Sequence, residues 1–397
     1  MAAMGAEVLP AHAQLAVSAN DGHAELVDGV IKTNPAGRDS ITIIDLSKSP
    51  PVKVAEFPAP ASVVGPPMSV AITTDERFAI VTASMKADPA DTTSTKQIAD
   101  NRVTLIDLGT PSGFAEKIKG RLLKTAKPEP KIVQTIEAGE APAGVSVNRK
   151  GDLVLVANRN EGTISVFTLK AGKLEAKGKV TVGNAASALG HVAITPDGRR
   201  ALVTRDGDSM ITVLNIDGDK VEPAKRDIYA GLRPYSLSIS NDGKFAAVSN
   251  IGRGQGDTDT VSLIDLSKDP YRVVETVSAG QSPEGIQISP DGRFVAVVCQ
   301  NGSTKAKSSP FYNDSGRLVV FQVAKDLKLS KVSEVKIGGW SQGVAFSKNG
   351  RTILVQNMVE KEIQVLSVSA GRLTDNNVRI KIEGAGPAGI RTAEPAK

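Results

Sequence analysis

The chain has 397 residues, of which 40% are apolar and 23% charged, and its formal charge is +5. That balance describes a chain able to bury a large core. Lysines and arginines are scattered and aromatics are only 4%, so the clustered basic footprint of a nucleic-acid binder is missing and no nucleic-acid partner is expected. No run of about 18 apolar residues occurs, so no membrane span is expected. The single cysteine, Cys299, excludes an intrachain disulfide, and in its hydrophobic strand it reads as a small buried apolar residue. The histidines stand at 12, 23 and 191, and no His or Cys pair has metal-ligand spacing, so neither a metal nor another cofactor is expected.

Residues 1–13 end in Leu9-Pro-Ala-His-Ala13, with Ala11 and Ala13 placed as in an A-x-A export-cleavage site. They read as a signal-peptide remnant or a disordered arm; the first reading makes the protein periplasmic or secreted. From Gln14 the chain becomes repetitive. Leu15-Ala-Val-Ser-Ala-Asn20, Ser40–Leu46 and Val52–Phe57 alternate as half-buried strands do. Four-strand units follow, opening at Met68, Ala143, Gly190, Tyr235, Ser282 and Gln342. Each opening strand runs into a turn such as Thr195-Pro-Asp-Gly198 or Ser289-Pro-Asp-Gly292. Residues 111–124 read as a short outer helix, weakened by Gly120.

The chain closes with Gly386-Pro-Ala-Gly-Ile-Arg-Thr-Ala393, which matches a unit's opening strand, as in Ala141-Pro-Ala-Gly-Val-Ser-Val147. That strand is the one missing from the first unit. A period of about 45 residues, four strands per unit and this permutation predict an all-β, seven-bladed β-propeller of four-stranded antiparallel blades over 14–393. The C-terminal strand completes blade 1, and 394–397 form a tail. Closing the ring removes two sheet edges.

Val261-Ser-Leu-Ile-Asp-Leu266, Val273–Gly280 and Ser282–Gly292 resemble the YVTN family of β-propeller repeats, which lies near the 6-phosphogluconolactonase-like and cytochrome d1-like propellers. The resemblance spans roughly 14–393, and its motifs are architectural. The name-giving tetrad survives in altered forms such as Ala247-Val-Ser-Asn250. One tryptophan is too few for Trp-Asp repeats or for tryptophan-docked quinoprotein propellers, and no Cys-x-x-Cys-His haem attachment site is present.

With strands running outward from the channel, the second-to-third-strand loops share one face with the inter-blade connections. Four of them are long, at 20–39, 84–101, 251–259 and 300–316. Insertions on one face of a repeat protein mark a binding face; the plainer alternative is variable surface loops. This geometry predicts a pocket with two opposed walls, made by blades 1 and 2 and by blades 5 and 6. His191, Arg233, Tyr235, Glu284, Trp340 and Gln342 stand near the starts of innermost strands. Asn158, Arg205, Asn250, Gln300 and Asn357 stand at second-strand ends. His191 or Glu284 would carry a proton and Arg233 would clamp an anion. The bland alternatives are a hydrogen-bonded core histidine, an inter-blade brace for Arg233, a salt-bridged Glu284 and a packed Trp340.

Two functions fit. One is an exported propeller that binds a small anionic ligand or a protein partner at the loop-rich mouth. The other, implied by the resemblance, is a lactonase-like or cyclo-isomerase-like enzyme. Fold alone does not choose between them.

Overall fold

The recurrent Ser/Thr-x-Asp/Asn-Gly text folds into one turn, used again in successive blades. Ser289 Oγ donates to Asp291 Oδ1 at 2.6 Å, and the Arg293 N–H donates to the same oxygen at 3.1 Å. Thr195 with Asp197, Ser240 with Asp242 and Ser347 with Asn349 repeat the arrangement. Gly292 has φ +73°, and Gly198, Gly243 and Gly350 match it. A side chain is disfavoured there, which is why glycine recurs. The Asp of the repeated Ile-Asp-Leu likewise closes a turn, since Asp45 accepts from the N–H and hydroxyl of Ser47 and Asp265 from those of Ser267.

The structure, a computed structural model, describes residues 14–34, 36–92, 96–109 and 129–395. The readings made for residues 1–13 and for a helix over 111–124 lie outside the described residues. Seven four-stranded antiparallel sheets form the ring. Their innermost strands are Gly386–Thr392, Val70–Ile72, Pro142–Val147, Leu189–Ile194, Pro234–Ile239, Pro283–Ile288 and Ser341–Phe346, in order from blade 1 to blade 7. Blade 1 is closed as expected: Gly386–Thr392 pairs antiparallel with Leu15–Asp21, Ile390 opposite Ser18.

The core lies between neighbouring blades. At the closure, Leu354 and Ile363 of blade 7 pack on Ala16, Ile44 and Ile390 of blade 1. Glycines let the innermost strands approach one another on the axis. A Cβ on Gly285 would stand 2.5 Å from the Gln342 carbonyl oxygen, and one on Gly144 would stand 2.7 Å from that of Gly190. Among the described residues no helix is long and apolar enough to cross a membrane.

Two of the four long loops carry strands of their own. Blade 1 adds the hairpin Ala24–Val27 with Val30–Thr33, and blade 2 adds Met85–Ala87 with Gln97–Ala99. The expected two opposed walls are bridged, because the blade 1 hairpin reaches blade 6. The Lys307 N–H donates to Asp28 Oδ1 at 2.8 Å. Lys305 Nζ in turn donates to the Gly254 carbonyl of the blade 5 loop.

Candidate functional site

Strand register sorts the mouth positions into levels. Pro142 lies opposite Asn158, Leu189 opposite Arg205, Pro234 opposite Asn250, Pro283 opposite Cys299 and Ser341 opposite Asn357. The next residue on each inner strand therefore forms one level, which holds Ala143, Gly190, Tyr235, Glu284 and Gln342. His191 stands one residue beyond it, level with Gly144, Ser236, Gly285 and Gly343. On the second strands Gln300 falls one residue past the Asn158 position, level with Arg159 and Asp206.

Those two levels bring a charged cluster together across blades 3 to 6. Asp206, 2% exposed, accepts from Arg159 Nη2 at 2.9 Å and from Arg233 Nη2 at 3.3 Å. Arg159 also donates to the Ala188 carbonyl, and Arg233 to that of Gly252. The Arg233 side chain is 38% exposed and forms the open edge of the cluster. Arg233 has φ +57°, a strained value for a side-chain-bearing residue, but Ala141, Ala188, Ser282 and Trp340 share it at the corresponding position. The strain belongs to the scaffold.

Glu284 lies within this field. Its Oε1 accepts from Gln300 Nε2 at 2.7 Å, while its Oε2 is buried without a hydrogen-bond partner. Gln300 is held in turn, its Oε1 accepting from Thr304 Oγ1 at 3.1 Å. Burial pushes the Glu284 carboxyl up to about 8; Arg233 and Arg159 pull it down and Asp206 adds to the rise. A carboxyl poised near neutrality with one oxygen free is equipped to move a proton. Burial raises the Tyr235 hydroxyl too, and Glu284 raises it further, so Tyr235 stays a neutral donor.

The other expected site residues lie elsewhere. Asn158 Nδ2 donates to Thr163 Oγ1 and Ser165 Oγ, each at 2.9 Å. Asn250 donates to Thr260 and Ser262, and Asn357 to Gln364. These asparagines clasp their own blade's third strand. Arg205 does the same work in blade 4, pairing with Asp208, Asp227 and Thr212. Trp340 packs with Val63, Met358 and Ala388, beside Ala24 and Leu26 of the blade 1 hairpin. Gln342 is buried on the level of Glu284.

His191 does not join Glu284 and Arg233. Its Nδ1 faces the Leu237 N–H at 3.4 Å, and burial, together with nearby Arg391, holds the ring well below the usual imidazole range. It lines the axial channel toward the opposite face. Arg159 and Asp206 directly follow the second-strand ends Asn158 and Arg205, and strand alternation turns each to the other side from the residue before it. Asp21, His23 and Asp39 also meet, with ligand atoms within 4.8 Å of one another. Their carboxylate oxygens accept from the N–H groups of Gly22, His23, Ala24, Ala61 and Val63, so the trio braces the blade 1 loop. Cys299 is buried, its thiol pushed up to about 12 by that burial.

The family described as "Lactonase, 7-bladed beta-propeller" matches residues 122–234 and 191–307. The chain resembles the lactonase propellers. The matched stretch holds Arg159, Asp206, Arg233, Tyr235, Glu284 and Gln300. No curated protein matches the sequence. Among solved structures, a candidate 6-phosphogluconolactonase from Bacteroides uniformis is similar at 18% identity and TM-score 0.71, with 96% of this chain and 100% of that one covered. The periplasmic gluconolactonase of Pseudomonas aeruginosa is similar at 17% identity and TM-score 0.67, with 96% and 99% covered. A functionally unknown protein from Desulfotomaculum acetoxidans gives 15% and 0.66, with 96% and 99% covered. At these identities the likeness is one of fold.

Proposed function

We propose that the cluster at the mouth of blades 3 to 6 binds a small, anionic hydroxy-acid lactone and hydrolyses it. The observation that carries this reading is Glu284, buried, with one carboxyl oxygen unpartnered and two arginines around it. In its ionised form Glu284 takes a proton from a water molecule that attacks the lactone carbonyl carbon. The oxyanion that develops is stabilised by Arg233, the more exposed guanidinium, and by the neutral Tyr235 hydroxyl. The ring C–O bond then breaks, and the proton on Glu284 passes to the departing alkoxide. The carboxylic acid so formed gives its proton to solvent, and the carboxylate is left against the arginines.

The lactonase family match and the gluconolactonase neighbours support the substrate class. A periplasmic or exported location is part of the same proposal, supported by the A-x-A pattern at Ala11 and Ala13 and by the periplasmic neighbour. The test is a hydrolysis screen over five- and six-membered aldonolactones, with and without a phosphate group. Wild-type turnover that falls at least about 100-fold in Glu284→Gln is expected from loss of a general base. Turnover indifferent to Glu284→Gln would overturn the assignment. Tight binding of a lactone or aldonate without turnover would leave the mouth a ligand-binding site and reject the hydrolase.

A further inference from the structure

On the opposite face the propeller axis is a narrow channel lined by all seven inner strands. One level of it is formed by the residues that follow Val70, Val145, Val192, Leu237, Ile286, Val344 and Ile390. These are Ala71, Ser146, Ala193, Ser238, Gln287, Ala345 and Arg391. The polar members have a common habit. Ser146 Oγ accepts from the Ile194 N–H of the next blade at 3.1 Å, and Ser238 Oγ accepts from the Ile288 N–H at 3.1 Å. Gln287 Oε1 accepts from the Phe346 N–H at 2.6 Å. His191 Nδ1 faces the Leu237 N–H in the same sense.

The consequence is an imbalance of donors. Each side chain spends its acceptor on a neighbouring strand's N–H and keeps its proton. Two hydroxyls, one amide NH2 and the His191 Nε2–H are left over, and among the described residues none of them donates elsewhere. Arg391 adds a guanidinium, for which burial holds the pKa down at about 10. Among the described residues its one hydrogen-bonding contact is with the Met68 sulfur. Glu394 lines the same channel and acts on Arg391 through its charge, and it also lies 3.7 Å from Arg149, so one carboxylate is shared between two guanidiniums. Lys348, at the channel's rim, is paired with Glu76 at 3.7 Å. A water molecule can accept from two of these donors but must still place two protons among the rest. A small anion accepts from the donors it reaches, has no proton of its own to place, and supplies the negative charge that two guanidiniums sharing Glu394 lack.

We propose that the axial channel at the level of Ser146, Ser238, Gln287 and Arg391 is a binding site for a small inorganic anion of the halide class. The site is independent of the lactonase reading, lying on the other face from Glu284. Its occupant ties blades 3, 5 and 6 to the closing strand of blade 1.

The test uses the full chain and bromide as the probe. Crystals grown in sodium bromide should show an anomalous peak in the channel within hydrogen-bonding reach of Arg391 and Ser238. In solution the wild type should melt a few degrees higher in sodium bromide than in sodium methanesulfonate of equal ionic strength, because a ligand bound only by the folded state raises its stability. Arg391→Gln should abolish that difference. If this variant does not fold, the double variant Ser238→Ala, Gln287→Leu removes two donors, retains the cation and should shrink the difference. A channel without an anomalous peak, or equal wild-type melting in the two salts, overturns the proposal.

Discussion

Gln300 Nε2 donates to Glu284 Oε1 at 2.7 Å and leaves Oε2 as the oxygen that can exchange a proton. Folded Glu284 keeps its proton to about 8, whereas the unfolded carboxyl releases it near 4.5. Between those values the folded state binds more protons, so this group's contribution to stability falls as pH rises through the window. As a general base it works ionised. The expected kcat/KM profile therefore rises with pH to a plateau above about 8, and this limb disappears in Glu284→Gln. The same variant should melt higher than wild type at pH 9, since it carries no charge to bury. Calorimetry at pH 5 and pH 9 reads the difference.

Asp206 is the shared partner of Arg159 and Arg233. Asp206→Asn keeps the shape and removes the charge between two cations. Loss of one partner from a buried pair costs on the order of 3 kcal/mol; denaturant unfolding checks it. The product carboxylate should bind more tightly in this variant, because two uncompensated guanidiniums face it. A lower inhibition constant for an aldonate product is the outcome that separates this effect from simple loosening.

His191 is neutral and buried, and its folded pKa lies well below the ordinary 6.5. Below 6.5 the unfolded imidazole takes up a proton that the folded one refuses, so stability declines as the solution is acidified through and below that value. His191→Asn should flatten the acid limb of a melting-temperature profile. Hydrolysis at pH 8 should be nearly unchanged, which separates this channel residue from the Glu284 cluster.

Asn250 clasps the third strand of blade 5 through Thr260 and Ser262. Asn250→Ala is expected to cost about 1–3 kcal/mol, since it removes the buried amide that donates to Thr260, Ser262 and the Ala230 carbonyl. The fraction that folds should retain its KM. A shifted KM at full occupancy of the folded state would return Asn250 to the site.

The repeat text made the architecture legible because every blade is built from the same local chemistry. A hydroxyl-carboxylate turn at Ser289 and Asp291, a glycine at 292 and a run of small apolar residues can all be read without coordinates. The site was half legible. Glu284 and Gln300 stood out as positions where the blades disagree, and the structure joins them. Arg159 and Asp206 were missed because they sit immediately after residues that looked more functional, and one residue of register sends a side chain to the other side of a strand. His191 stands one such step beyond the level of Glu284. The irregularity between Leu189 and Val192 recurs at the same place in blades 3, 5, 6 and 7, so aligning the repeats sets His191 beside Gly144 and Gly285 rather than beside Glu284.

Blade 1 needs Leu15–Asp21 and Gly386–Thr392 side by side, although among the described residues they are the earliest and latest strands of the ring in the chain. At typical elongation rates of about 5–20 residues per second, roughly 20–75 s separate their syntheses. Throughout that interval the ring is a horseshoe with a naked strand at its beginning, and Ile390 has yet to arrive over Ala16 and Ile44. The molecule's period of greatest vulnerability to association with its sister chains is thus set by the order of synthesis. A circular permutant opened in the turn at Asn241 and Asp242, with Leu15–Asp21 linked to Gly386–Thr392, would keep every strand pairing of the ring. It would give up the Asn241 contacts to Arg149 and Pro290 and move the late clasp from blade 1 to blade 5.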